Sequence, residues 1–461
     1  MKISYNWINQ FLKTKIPYLK VSEMLTSIGL EVEGVESFST IKGGLKDVVV
    51  GEILSCEKHP NADRLKVTQV NLGNKIAQIV CGAPNVGKDQ KVAVATVGSI
   101  LYDNKGNHFK IKRTVIRGEE SNGMICAEDE LGIGSSHEGI IVLDNKLKAG
   151  TPLSKVFDVE EDYVFNIGLT PNRADAMSHM GVARDLKALF SFNKIGFKWS
   201  YPEITKLKFV KNNNSIPVDI QEPELVDAYH GISISNVTVK ESPVWLKNRL
   251  KSIAVTPKNN IVDITNYILH EIGQPLHAFD SKKINKGIIV KKIKKQKKFK
   301  TLDGIERELD QNDLMICDHK KPLCIAGVIG GEESAVGNKT KDIFLESACF
   351  NSISVRKSAK KFGLNTDASF RFERGVDPEI GIYAIKRAAI LIQELAGGDL
   401  GQITSFKNEK DKKEVFLKFN YINKLVGQKI EKKQIIQILT SLDMTIDKIG
   451  QDAIKVNIPR Y

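Results

Sequence analysis

Short apolar runs separated by turn residues dominate this chain, and helical periodicity returns only at intervals. Trp7, Ile8, Phe11 and Leu12 fit one short helix, and a second is read over Val21–Ile28, ended by Gly29 in a left-handed cap. From Asp47 the texture changes to strands: Val48–Leu54, Leu65–Leu72, Ile76–Cys81, Val92–Val97, Phe109–Ile116 and Ile140–Leu143. Between them NADR, NLGN, APNVG and DNKGN supply the Asn, Asp, Gly and Pro that turns require. About a hundred residues of short strands with no long helix predict a small barrel of the oligonucleotide-binding (OB) type. Ser178 then caps a helix that turns Val182, Leu186, Leu189 and Phe190 to one face. A polar, Lys/Asn-rich stretch, Tyr201–Ser215, reads as a linker. Farther on, Asp377 as cap and Pro378 at the first helical position open a helix with Ile382, Ile385, Ala389 and Ile392 inward, stopped by Gly397–Gly398. Residues 415–461 read as strand, helix (Ile435, Ile438, Leu439, Leu442) and strand.

The expected architecture is therefore multidomain α+β. A small helical/mixed N-terminal domain (1–39 plus 152–200) carries an inserted OB-type β-barrel (40–151). An α+β domain (210–400) follows, then a truncated small α+β domain (405–461), whose abrupt end after a strand reads as a fragment of something longer.

Composition narrows the function. With 461 residues, 41% hydrophobic and 27% charged, the chain has room for roughly three domains and is neither disordered nor fibrous. No apolar run approaches the roughly 18 residues of a membrane helix, and MKISYNWINQF lacks a signal peptide's apolar stretch; the expectation is a cytoplasmic protein with no membrane partner. The six cysteines form no CxxC pair, which argues against a zinc knuckle and a disulfide framework, and no metal ligand is assigned. A net charge of +13 suits a polyanion, yet only 12 of the 68 basic residues are Arg, so the Lys excess alone does not establish RNA binding. Lys291–Lys300, with seven lysines, is read as a solvated strand pair ahead of a nucleic-acid patch.

The motifs are more specific. His59-Pro60-Asn61-Ala62-Asp63-Arg64-Leu65 and Ser121-Asn122-Gly123-Met124-Ile125-Cys126 are turn formers one by one. Together, within a small barrel, they resemble the tRNA-binding barrel of several synthetases. Asn166–Asp175 (NIGLTPNRAD) follows, then Val262–Tyr267 (VDITNY), Gly273–Asp280 (GQPLHAFD), Thr301–Gly304, Ala326–Gly331, Leu345–Phe350 and Thr366–Pro378. In this order, over essentially the whole chain, they resemble the N-terminal part of the β subunit of bacterial phenylalanyl-tRNA synthetases. Two positions depart from the family: Thr256 precedes Pro257 where Arg is frequent, and Asp367 stands where Glu is frequent.

The resemblance implies an editing domain that hydrolyses tyrosine mischarged on the phenylalanine tRNA. Glu346 would read the tyrosine hydroxyl with the backbone around Gly327 and Val328; its alternative is a surface carboxylate on an alternating strand. His277 would orient the water or the terminal ribose, or be a structural hydrogen bonder in a turn. Asn266 would fix the ester or adenosine, or cap the Thr265-Asn266 turn, and Thr366 and Ala368 would line the pocket. Arg371, Glu373 and Arg374 read as ion pairing that holds a loop, with RNA contact the alternative. No Gly-rich phosphate cradle is present, consistent with a synthetic site on the α subunit. The implied partners are that α subunit, two α with two β, and the phenylalanine tRNA; ATP and magnesium are implied for the complete enzyme and no cofactor for this stretch. The competing reading is a non-catalytic scaffold with an inactive editing site.

Overall fold

A computed structural model describes residues 1–103, 107–205, 207–210, 215–408 and 413–461. The DNKGN turn and the 201–215 linker thus lie partly outside the described residues. The chain divides into two compact units, Ser37–Tyr163 and a second made of Met1–Glu36 with Val164–Tyr461.

The first unit is a nearly closed barrel. Strands β1 (Val48–Lys58), β2 (Lys66–Asn71), β3 (Ile76–Cys81), β4 (Lys91–Thr96) and β5 (Gly123–Ile125) run in the order β5-β4-β1-β2-β3. The gap between β3 and β5 is bridged by the Asn122 N–H, 2.8 Å from the Gln78 carbonyl, and the Val80 N–H, 3.1 Å from Ser121 Oγ. Gly123 is required at this seam. Its φ is +145°, and a Cβ would stand 2.9 Å from the Ala95 carbonyl oxygen. The interior is filled by Ile53, Val70, Ile79, Val92 and Val94.

Two barrel expectations need correcting. Phe109–Ile116 is not one strand: His108–Lys110 pairs with Ile100–Tyr102, whereas Thr114–Ile116 pairs with Glu119–Ser121 across a turn with positive φ at Arg117 and Gly118. The first strand also runs on to Lys58, past an irregularity between Ile53 and Ser55. The His59 loop is built by its own side chains. His59 Nδ1 accepts from the Asn61 N–H at 3.0 Å, which leaves Nε2 as the donor to the Ile116 carbonyl at 3.0 Å.

In the second unit, helices α1 (Tyr5–Phe11) and α2 (Tyr18–Ser27) precede α3 (His179–Phe192), which Ser178 caps by accepting from the Gly181 N–H at 3.0 Å. Gly29 does take a positive φ, +83°, after α2. The central sheet is antiparallel and ordered β8-β13-β7-β14, from β7 (Val226–Ser235), β8 (Leu276–Asp280), β13 (Ile343–Phe350) and β14 (Asp399–Lys407). One face packs Ile232, Ile234, Ile343 and Leu345 against α4 (Asn260–Ile272) and α6 (Gly381–Ala396). The other face packs Tyr229, Phe279, Phe344 and Ala348 against a second sheet. That sheet runs β6-β9-β10-β11-β12, from β6 (Val218–Ile220), β9 (Ile288–Lys292), β10 (Leu314–Cys317), β11 (Pro322–Ile325) and β12 (Ile329–Gly330). A short helix, α5 (Asp367–Phe372), precedes α6. The helix-on-sheet layer and the sheet-on-sheet layer make this a mixed α/β domain.

Corrections follow here too. Helix α6 begins at Gly381, because Asp377 Oδ1 accepts from the Glu379 N–H at 2.9 Å and closes a turn ahead of the helix. Lys291–Lys300 does not pair with itself: β9 joins β10, while Lys297–Lys300 joins Glu306–Leu309. Residues 415–461 hold two helices, Phe419–Val426 and Lys432–Ser441, and three strands.

Candidate functional site

Strand β13 is buried along its whole length, so Glu346 is not one of the outward members of an alternating strand. It faces Gly231 of β7 on one side and His277 of β8 on the other. Directly opposed residues share a face of the sheet, and that face is the one covered by the second sheet. Glu346 is 5% exposed and Oε2 accepts the Tyr229 hydroxyl at 2.7 Å. Burial pushes its pKa up to about 8, with the Tyr229 hydroxyl pulling the other way. At neutral pH Glu346 is therefore mostly the uncharged acid.

His277 belongs to a strand and not to a turn, which corrects the structural alternative drawn from PLHAF. Its ring stands edge-on to Phe279 at 4.4 Å between centroids, and Nε2 is shielded with no hydrogen-bond partner among the described residues. Gly330 makes this approach possible: a Cβ there would lie 2.5 Å from His277 Cε1. Burial holds the imidazole pKa down at about 4, so the ring is neutral at physiological pH.

The hairpin β11–β12 brings in the next residues. Its turn places Gly327 at φ +71°, where a Cβ would meet Val355 at 2.9 Å and Phe372 at 3.0 Å. Neighbouring Val328 presents its carbonyl to Thr366 Oγ1 at 2.9 Å. Thr366 is also the cap of α5, accepting from the Ser369 N–H at 3.0 Å while Ser369 Oγ accepts the Thr366 N–H at 3.0 Å. Ala368, in the first turn of α5, packs part-buried against the same core.

Asn266 differs. It lies inside α4, not in a Thr265-Asn266 turn, and Asn259 performs the capping by accepting from Ile261 and Val262. On a helix it stands opposite the Ile261, Ile264, Ile268 stripe, and no hydrogen bond joins it to Glu346 or His277. Residues that the sequence did not single out are Tyr229, Gly231 and Cys324, the last close enough to Glu346 for its thiol to be pushed further up by that carboxyl. Nothing in VDAYHGIS marks Tyr229 off from an ordinary strand aromatic.

Among the described residues no three His, Cys, Asp or Glu side chains gather to hold a metal ion. No helix of the described residues is long and apolar enough to cross a membrane.

The buried carboxyl carries a stability prediction. A group whose pKa rises on folding stabilises the fold below its ordinary value, near 4.5, and loses that contribution as pH climbs through about 8. The shift corresponds to at most about 5 kcal/mol at roughly 1.4 kcal/mol per unit. Glu346→Gln, which keeps an acceptor for Tyr229, should therefore lose less stability than wild type between pH 5 and 9. Urea unfolding at the two pH values measures this, and parallel losses in both proteins would contradict a buried, raised carboxyl.

Three family descriptions match in chain order: a putative tRNA binding domain over residues 48–152, a B3/4 domain over 225–397 and a tRNA synthetase B5 domain over 415–461. The phenylalanine–tRNA ligase beta subunit of Bacteroides fragilis is 48% identical over 465 residues, covering 100% of this chain and 57% of that protein. The corresponding subunit of Porphyromonas gingivalis is 47% identical over 466 residues, covering 100% and 56%. A solved N-terminal fragment of the phenylalanyl-tRNA synthetase beta-subunit from Pyrococcus horikoshii covers 65% of this chain and 82% of its own at 17% identity, with a TM-score of only 0.32. The chain spans a little more than half the length of the curated relatives it matches. By these matches, taken together along its entire length, the chain belongs to the family of phenylalanine–tRNA ligase beta subunits.

Proposed function

We propose that this chain contributes tRNA interaction, assembly and proofreading to a phenylalanyl-tRNA synthetase, acting in the cytoplasm with an α subunit as two α and two β. The barrel, as an OB-type module within 40–151, would contact the phenylalanine tRNA. Residues 210–400 would hydrolyse tyrosine mischarged onto it. The flanking segments 1–39 with 152–200, and 405 onward, would serve docking. ATP and magnesium belong to ligation by the complete enzyme, and no step of the hydrolysis below passes through them.

The observation that carries the reading is a buried carboxyl, Glu346, directly across one register position from an imidazole whose Nε2 has no hydrogen-bond partner among the described residues. An apolar pocket selected for phenylalanine rejects a ligand that adds only a hydroxyl by about a hundredfold, so a second, polar sieve is needed. Glu346 would accept the tyrosine hydroxyl, leaving phenylalanine with a buried polar group unanswered at about 1–3 kcal/mol. The Val328 carbonyl is already engaged by Thr366, so the Gly327–Val328 turn would act chiefly as pocket wall, with Thr366 and Ala368 beside it. His277, neutral at pH 7, would hold the attacking water at the ester end, and Asn266 would fix the ester or adenosine. Water then adds to the ester carbonyl, and collapse releases tyrosine and the tRNA terminal hydroxyl. Positioning supplies most of what an activated ester needs.

The test is deacylation by the complete enzyme without ATP. Tyrosine attached to the phenylalanine tRNA should be released much faster than in buffer, and faster than phenylalanine from the same tRNA. Release of both at the buffer rate would leave the scaffold reading in its place.

A further inference from the structure

Tyr229 pairs with Ala348, one pleat along from the Gly231–Glu346 pair, so its ring reaches Glu346 on the diagonal. The reach depends on Gly231. A side chain there would run into the Phe344 ring, and the absence of one leaves this part of the sheet face to Phe344, Tyr229 and Glu346. Tyr229 is 1% exposed and its hydroxyl lies 2.7 Å from Glu346 Oε2. The other titratable groups facing the carboxyl are His277 on β8 and Cys324 on β11. Neither bonds to it: His277 Nε2 has no partner among the described residues, and Cys324 Sγ turns to the Ile325 and Ile329 carbonyls, each at 3.3 Å. Among the described residues Tyr229 is thus the donor that fixes the carboxyl, and it takes one oxygen of the two.

We infer that Tyr229 is a positioning residue for substrate discrimination, an inference that rests on the hydroxyl-reading role proposed for Glu346. By anchoring Oε2 it fixes the plane of the carboxyl and leaves Oε1 to meet the ligand's phenol. Glu346 then holds one phenol of the protein and receives a second from the mischarged amino acid. A site that reads a hydroxyl with a single carboxyl needs that carboxyl held in one rotamer by a neighbouring hydrogen bond. The same bond works against burial in setting where Glu346 ionises, so removing the hydroxyl should move that ionisation to higher pH.

The experiment uses the complete enzyme and measures deacylation of tyrosine and of phenylalanine from the phenylalanine tRNA between pH 6.5 and 9. Three substitutions are compared: Tyr229→Phe, Glu346→Gln and the two together. Tyr229→Phe keeps the ring and should leave phenylalanine release unchanged while the preference for tyrosine falls about three- to tenfold, the value of one hydrogen bond. Wild-type preference should rise as pH climbs through about 8, and in Tyr229→Phe that rise should come at higher pH. With the Glu346→Gln background the second change should add little, since both act through one contact. Replacing Tyr229 by 3-fluorotyrosine, a stronger donor of the same shape, should move the rise to lower pH with preference retained. A merely structural tyrosine would not produce that shift. If Glu346→Gln loses preference while Tyr229→Phe keeps it with an unmoved pH profile, the positioning role is overturned and the reading of Glu346 stands. If Glu346→Gln itself keeps full preference, the hydroxyl-reading role fails and the positioning role with it.

Discussion

At pH 9, where Glu346 is ionised, Glu346→Ala in the complete enzyme is expected to cut the preference for releasing tyrosine over phenylalanine by about 10- to 150-fold, the worth of a hydrogen bond to a charged acceptor, about 1.5–3 kcal/mol. The remaining walls treat the two amino acids alike. Val328, Phe344, Phe350 and Phe372, which share one apolar core beside Glu346, offer no polar side chain, and the Val328 carbonyl is already bonded to Thr366. Alanine would also leave the Tyr229 hydroxyl, 2.7 Å from Oε2 in the native protein, with no acceptor. Tyr229 would then be a donor without a role in distinguishing the ligands. His277→Ala should behave differently. Its Nε2 has no hydrogen-bond partner among the described residues, and its ring packs on Phe279 and Gly330, so its loss should slow the release of both amino acids while the preference stays nearly intact. Parallel deacylation time courses on the two charged tRNAs read both numbers. Unchanged preference in Glu346→Ala would return Glu346 to being a buried strand carboxyl, and lost preference in His277→Ala would move His277 to the aromatic end of the pocket.

Local chemistry in the sequence was enough for some elements and not others. Ser178 and Gly29 act within three residues of themselves, and both stand where the local pattern puts them. Asp377 has the composition of a cap, yet its carboxylate closes a turn and α6 starts at Gly381, whose carbonyl accepts the Ser347 hydroxyl at 3.0 Å. That choice is tertiary. Strand β13 shows why the site was harder. FLESACF looks like an alternating strand, and only the two layers that sandwich it make Glu346 as buried as Leu345. Burial then converts an ordinary carboxylate into one that ionises near pH 8. The role of Tyr229 depends on the register of β7 against β13, which no local pattern in either strand specifies. Asn266 is the converse case: its motif was legible, and its place inside α4 was not.

Arg371→Ala is expected to lower the unfolding free energy by about 3–5 kcal/mol, and Arg374→Ala, three residues on, by less than about 1 kcal/mol. Arg371 is 3% exposed and spreads its donors over three elements. Its Nε bonds to the Met177 carbonyl at 3.1 Å, just ahead of α3. One terminal nitrogen reaches the Asp367 carbonyl at 2.9 Å and Asp367 Oδ1 at 3.2 Å. The other lies 3.3 Å from His270 Nδ1 in α4. His270 is buried and held neutral, which leaves that nitrogen free to accept, and its carbonyl in turn faces His179 Nδ1 at 2.8 Å. Alanine would strand the Met177 carbonyl and His270 Nδ1 out of water, while the exposed Asp367 carboxylate would stay solvated. Arg374, by contrast, pairs with Glu373 and lies over the Phe370 ring at 3.7 Å in a part-exposed setting, where such contacts contribute little. The consequence reaches the pocket because Arg371 ends the helix that Thr366 begins, and Thr366 holds the Val328 carbonyl. Arg371→Ala should thus lose editing rate along with stability, whereas Arg374→Ala should keep both. Urea unfolding and deacylation on the same preparations decide it. If Arg371→Ala unfolds like wild type and only tRNA affinity drops, this cluster contacts RNA and does not tie α5 to α3 and α4.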